Sequence, residues 1–246
     1  MNNMNDKYVR KFDSSNKAKR VPICFCIDTS TSMGLIVDGF ENVKSTGKKV
    51  FADQREYQIV EGGISLMDKM HEGIANFYEA ILDDDMACDS CEAAIITFSD
   101  NAQLYENFSS VDEKTVPNFN DMRGGNTNVS PAIRMALDLL ADQKNFYKNN
   151  KTPYFQPWLI LFTDGLPTDD VSEIKAELMQ MQNDDKLSVY TMALSDDPQL
   201  IDALRGFSKK DPIKCSNHKD IQRFFEFLAK SVSVVAAGGE APKGFF

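Results

Sequence analysis

Short, wholly apolar runs alternate along this chain with stretches of helical spacing. Val21-Pro-Ile-Cys-Phe-Cys-Ile27 is too short for a helix and apolar throughout. It fits a central parallel strand covered on both faces. Residues 93–98 and 158–163 read the same way, and 187–194 and 212–215 read as further strands. Ala102, Leu104, Glu106 and Phe108 mostly alternate, which predicts a hairpin edge strand after the turn at 99–101. Helical spacing over 58–82 puts Ile64, Met67, Ile74, Phe77, Tyr78 and Ile81 near one face. Ser130-Pro131 opens a helix with a capping residue and a Pro at the first helical position. Its buried stripe is Ile133, Ala136, Leu137 and Leu140. Thr168-Asp-Asp170 caps a helix running to about 183, and another helix covers 198–207. A last helix, 218–234, buries Ile221, Phe224, Phe225, Leu228 and Val232. Strands alternating with helices predict an α/β, doubly wound, mostly parallel central sheet. One edge strand is antiparallel, and helices cover both faces.

The 246 residues suit one large domain over 21–235, with a basic arm at 1–20, an insert at 34–58 and a tail at 236–246. No stretch approaches 18 apolar residues, so no membrane span is expected. The net charge of −10 sets +4 on residues 1–20 against −14 on the remainder. An acidic body disfavours nucleic acid as a partner. The arm is either a solvated tail or a contact for an acidic partner. The polar start Met1–Lys7 has no apolar signal core, which gives the expectation of a cytoplasmic protein.

The five cysteines are an odd number and do not suggest a secreted disulfide framework. Cys24 and Cys26 read as small core residues. Cys88-Asp-Ser-Cys91 with Cys215 and His218 has the chemistry of a zinc set. The predicted strands place these pairs at opposite edges of the sheet. His71 reads as a surface residue in mid-helix, His218 as a structural or capping residue, and Trp158 as packing. Asp83-Asp-Asp85 reads as a solvated helix end.

Three separated fragments can converge on one divalent ion. They are Asp28-Thr-Ser30-Thr-Ser32, Gly124-Gly-Asn-Thr127-Asn and Thr163-Asp164-Gly165. Two of them lie just beyond predicted core strands, where open α/β sheets bind ligands. Asp28, Ser30, Ser32, Thr127 and Asp164 offer two carboxylates and three hydroxyls. This all-oxygen set suits a hard cation such as Mg²⁺, with Mn²⁺ or Ca²⁺ as alternatives. Mg²⁺ takes six oxygens, so this set leaves room for a water or for a partner's acidic group to complete the shell.

The constellation resembles the metal-ion-dependent adhesion site of von Willebrand factor A domains: Asp-x-Ser-x-Ser, a distant Thr, then an Asp in a Thr-Asp-Gly turn. The resemblance covers about residues 20–235. It implies that Ser30, Ser32 and Thr127 bind the metal through hydroxyls, with Asp28 and Asp164 binding directly or through water. The stretch Thr163-Asp-Gly-Leu-Pro-Thr-Asp169 and the ending 225–233 resemble bacterial TerY-like proteins, which are associated with tellurium resistance and stress. That narrower resemblance implies an adaptor encoded near kinase-like or phosphatase-like genes, in stress-response or phage-defence clusters.

The insert departs from a compact domain and must emerge on the metal face, as a recognition surface or lid or as a neutral excursion. Thr46-Gly-Lys48 is half of a phosphate loop, but Asn42 stands where the required Gly would be, so no nucleotide site is expected. The terminal Phe245-Phe246 pair suggests a docking element. The expected function is a metal-dependent protein-binding adaptor, its partner presenting Asp or Glu to the ion, with no catalytic residues. A metal-assisted phosphohydrolase is an alternative, weakened by the lack of an Asp-x-Asp pair at Asp28. A secreted adhesin module is the other.

Overall fold

The central strand, β1 (Val21–Asp28), is buried at every position. Val21, Ile23, Phe25 and Ile27 enter one core layer, while Cys24 and Cys26 enter the other. This two-sided burial is why the strand is apolar throughout rather than alternating. The structure, a computed structural model, describes residues 18–52, 55–215 and 217–240. Most of the basic arm (1–17) and the end of the tail (241–246), with Phe245 and Phe246, lie outside the described residues.

After β1 come a single turn of 3-10 helix at Thr31–Gly34 and the strands β2 (Ile36–Asp38), β3 (Lys44–Ala52), β4 (Arg55–Glu61) and β5 (Ile64–Ser65). Next are the helices α1 (Leu66–Leu82) and α2 (Asp85–Ser90), then β6 (Cys91–Phe98) and β7 (Ala102–Ser110). The remainder alternates: α3 (Val129–Asn149), β8 (Trp158–Thr163), α4 (Ser172–Asn183), β9 (Ser188–Ala193), α5 (Pro198–Leu204), β10 (Ile213–Lys214) and α6 (His218–Ala236). Six strands form the main sheet in the order β10-β9-β8-β1-β6-β7. Its pairings are parallel except β6–β7, which is antiparallel. The expected architecture is therefore present: a mostly parallel sheet with an antiparallel edge and helices on both faces.

Two helix starts differ from the sequence reading. The helix expected from 58 begins at Leu66, and Gln58–Glu61 belong to β4. Gly62 and Gly63 adopt φ of 78° and 74°, which breaks any continuous helix there. A side chain at Gly63 would press on Ile36 and Val43 at 2.8 Å. Ser65 then caps α1 in a reciprocal box with Asp68. Further on, α3 starts at Val129, with no cap from the side chain of Asn128. Its first amides, of Val129 and Ser130, donate instead to the Asp169 carboxylate at 2.8 Å each. A distant loop thus supplies the negative charge that a helix N-terminus favours.

The acidic run at 83–85 ends α1 with Asp83 and Asp85 exposed, as expected, and also starts the next helix. Asp84 accepts from the amides of Met86 and Ala87 and caps α2. At the opposite end of the sheet from the β1 carboxyl end, Arg20 is buried against Glu92, with Nε 3.6 Å from Oε1. Glu92 also accepts from Gln143 and from the Tyr147 hydroxyl. Trp158 packs edge-on against Tyr190, as the packing reading expects. Among the described residues no helix is long and apolar enough to cross a membrane.

The segment between β1 and α1 forms two small sheets. β2 pairs antiparallel with β5, which closes a ribbon at the entry to α1. β3 and β4 form a separate antiparallel hairpin. Because β1 ends and α1 begins on the same side of the main sheet, both ribbons rise beside the carboxyl ends of the strands.

Candidate metal centre

The three fragments meet at the carboxyl end of β1. Asp28 closes the strand and is fully buried. Its Oδ1 accepts from the Ser30 amide at 2.7 Å, which folds the chain back tightly. Its Oδ2 accepts from the Thr163 hydroxyl at 2.6 Å, at the end of neighbouring strand β8. Thr163 was known from the sequence only as part of the Thr-Asp-Gly turn. In the structure it orients Asp28. The Ser30 and Ser32 hydroxyls lie 3.2 Å apart, and Ser32 donates to Asp164 Oδ1 at 2.7 Å. Ser30, Ser32 and Asp164 are thus linked through short contacts between oxygens, and Asp28 joins them through the Ser30 amide.

The loop before α3 brings in Thr127. The Gly124 amide donates to the Thr29 carbonyl at 2.9 Å, and the Thr31 amide donates to the Gly125 carbonyl at 3.3 Å. Thr127 is tied to the third fragment, its amide donating to the Thr168 hydroxyl and its carbonyl accepting from the Thr168 amide. A side chain at Gly165 would sit 2.8 Å from the Thr127 hydroxyl, so only glycine leaves that hydroxyl clear. The Thr127 Oγ1 is buried and has no hydrogen-bond partner among the described residues. An orphaned buried hydroxyl carries a desolvation cost of about 1–3 kcal/mol. A ligand at this point removes that cost.

The donor set fits a hard divalent cation. All five candidate residues are brought together, and every side-chain donor is oxygen. Among the described residues no three His, Cys, Asp or Glu side chains gather as a metal group, so hydroxyls must complete any shell here. The zinc set is not assembled. Cys91 opens β6 and Cys215 follows β10, with three strands between them. Burial pushes the Cys91 thiol well above its usual range and the Cys215 thiol up to about 12. Neutral thiols are poor ligands. The His218 side chain lies outside the described residues.

His71 is not a surface bystander. Its Nε2 accepts from the Phe119 amide at 2.8 Å, and the two rings lie 5.0 Å apart. It therefore anchors the loop that leads to Thr127. Burial lowers its pKa below 6.5; Arg123 adds to this and Asp68 opposes it. The folded state thus favours the neutral ring, and its stability is complete above about pH 6.5. Stability is lost as pH falls from there toward the lowered value, because the unfolded chain takes up the proton first. Urea unfolding at pH 7.5 and 5.5 should show a loss in the wild type that is smaller in His71→Gln. Equal losses would remove His71 from this role.

The sequence matches the family profile described as von Willebrand factor type A domain over residues 23–226. No curated protein sequence matches the chain. Solved structures share its fold. The PilB minor pilin from Streptococcus sanguinis superposes with a TM-score of 0.56 at 14% identity, covering 88% of this chain and 62% of the pilin. The chain thus spans about three-fifths of that protein. The vWF domain of the type V pili tip protein Mfa5 from Porphyromonas gingivalis gives 0.57 at 9% identity, covering 92% and 99%. Proximal thread matrix protein 1 from the mussel byssus, with a zinc-occupied MIDAS motif, gives 0.51 at 14%, covering 90% and 47%. At these identities the likeness is one of fold.

Proposed function

This chain belongs to the von Willebrand factor type A domain family, and we propose that it works there as a metal-dependent protein-binding adaptor. Asp28, Ser30, Ser32, Thr127 and Asp164 would hold the ion, with Mg²⁺ the best match to the oxygen set. A bound cation supplies a positive centre that takes a carboxylate oxygen from a partner's Asp or Glu. The chain's own part is to hold two carboxylates and three hydroxyls ready at the end of a rigid strand. The observation that carries this reading is the Thr127 hydroxyl, buried beside the Asp164-Gly165 turn without a partner among the described residues.

The reading includes no reaction. His71 is engaged as an acceptor from the Phe119 amide. The five cysteines are free thiols, which supports a reducing, cytoplasmic compartment. The resemblance of residues 163–169 to TerY-like proteins supports a bacterial stress-response or phage-defence setting, with kinase-like or phosphatase-like partners. A surface-displayed adhesive module is the second reading, favoured by the pilus proteins among the fold neighbours. The free thiols weigh against it.

The test is an affinity pull-down from the native cell with Mg²⁺ or chelator, using the wild type and Asp164→Ala. A partner lost on chelation and lost in the variant is the expected result. A partner kept in both overturns the metal-dependent reading.

A further inference from the structure

A groove with a volume of about 910 Å³ lies between the insert and the loop before α3. That is near the top of the usual range for ligand pockets, roughly 300–1,000 Å³. One wall comes from the insert, with Leu35, Phe40, Val50, Tyr57 and Ile59 along it. Several are strongly exposed for apolar residues: Phe40 64%, Leu35 48% and Ile59 42%. The other wall is the loop at 120–124, including Arg123. Contiguous exposed apolar surface of this kind marks an interaction site.

The groove runs alongside the metal loop. Thr31, between the two seryl ligands, lines it, and so does Gly124, whose amide holds the Thr29 carbonyl. The Arg123 side chain lies against the end of the metal loop, 3.4 Å from where a side chain on Gly34 would begin. Arg123 donates to the Asn120 carbonyl and makes no ion pair among the described residues. With an ion bound, the face would offer two positive centres, the cation and the exposed Arg123 guanidinium, flanked by apolar surface; Asp68, which also lines the groove, is held by the Ser65 amide and hydroxyl.

We propose that this groove receives an extended segment of a partner protein with a defined chemistry. One acidic residue meets the metal, a second meets Arg123, and a large apolar residue packs against Phe40 and Ile59. The inference rests on the metal-dependent reading above and adds to it what the partner must carry. Charge complementarity selects this occupant. A segment with one acid leaves the guanidinium unpaired, and a wholly polar one leaves the apolar wall wet.

A displayed library of random twelve-residue peptides is selected on the wild-type chain in Mg²⁺. Enriched peptides are synthesised and their affinities measured by fluorescence anisotropy, with Mg²⁺ or EDTA. The variants are Arg123→Gln, the double variant Phe40→Ser with Ile59→Ser, and Asp164→Ala. All three altered groove side chains are exposed, so the fold is kept, as circular dichroism will check. The enriched peptides should share two acidic residues and a large apolar one. Arg123→Gln and the double variant should each weaken binding roughly tenfold with Mg²⁺ affinity unchanged, whereas EDTA and Asp164→Ala abolish it. Peptides that share only a metal-dependent acid, bound equally by both groove variants, overturn the groove and leave the metal reading standing. Peptides bound equally in EDTA and by Asp164→Ala overturn both. A chain that binds Mg²⁺ yet enriches no peptide also overturns the groove.

Discussion

Asp28→Asn is expected to abolish metal binding and leave the metal-free chain folded. The side chain is fully buried and holds the tight turn at Ser30 by accepting from its amide. Asparagine retains an oxygen to accept from the Ser30 amide. Its amide group then faces the Thr163 hydroxyl, which still has the Gly165 carbonyl to donate to at 3.1 Å. The polar groups around the site therefore stay satisfied, and stability without metal should lie within about 1 kcal/mol of the wild type. What is lost is one of only two carboxylates. Removing a group that merely orients a ligand costs about 10–100-fold in metal affinity. Removing the charge itself should cost more than about 100-fold. Isothermal titration with Mg²⁺ checks the affinity, and thermal denaturation in EDTA checks the fold. Wild-type affinity in Asp28→Asn would show that the ion, if bound, sits elsewhere.

Phe225→Ala carries the largest expected loss of stability. Phe225 is fully buried and stacks on Phe162 at 5.4 Å. It also meets Phe25, Phe77 and Phe224 at 5.7–6.3 Å. Gly73 on α1 lets the ring come close, since a side chain there would lie 2.3 Å from it. The ring thus joins α6 and α1 to the strands whose ends carry Asp28 and Asp164. Its truncation leaves a cavity that the surrounding rings cannot close, at a cost of about 3–5 kcal/mol. Urea unfolding in EDTA measures it, and a loss below about 1 kcal/mol would contradict this packing. Mg²⁺ at about 100 times its dissociation constant should return roughly 2.7 kcal/mol to the variant. No return would separate the metal from the folded state.

Much of this was legible in the sequence. The central strands stood out because burial on both faces leaves no polar position in 21–27 or 158–162. The five candidate ligands stood out because they fall in short Ser, Thr and Gly-rich loops just beyond such strands. What was not legible depends on contacts between distant segments. Asp169 caps α3 from another loop, so Ser130-Pro131 gave the right helix with the wrong capping residue. His71 looked solvated on helical spacing alone, and its partner is Phe119, 48 residues away. The apolar positions of β4 continue the spacing of α1, so the helix was read eight residues too early. Arg123 carried no signal at all. Its place beside the metal loop follows from how the 120–124 loop folds over Gly34.

The most direct test of the central claim is a titration of the wild-type chain with Mn²⁺, followed by electron paramagnetic resonance. The expected result is loss of the free-ion signal up to one equivalent, and its return when Mg²⁺ is added in excess. A free-ion signal that rises linearly from the first addition would mean that Asp28, Ser30, Ser32, Thr127 and Asp164 do not form a metal centre.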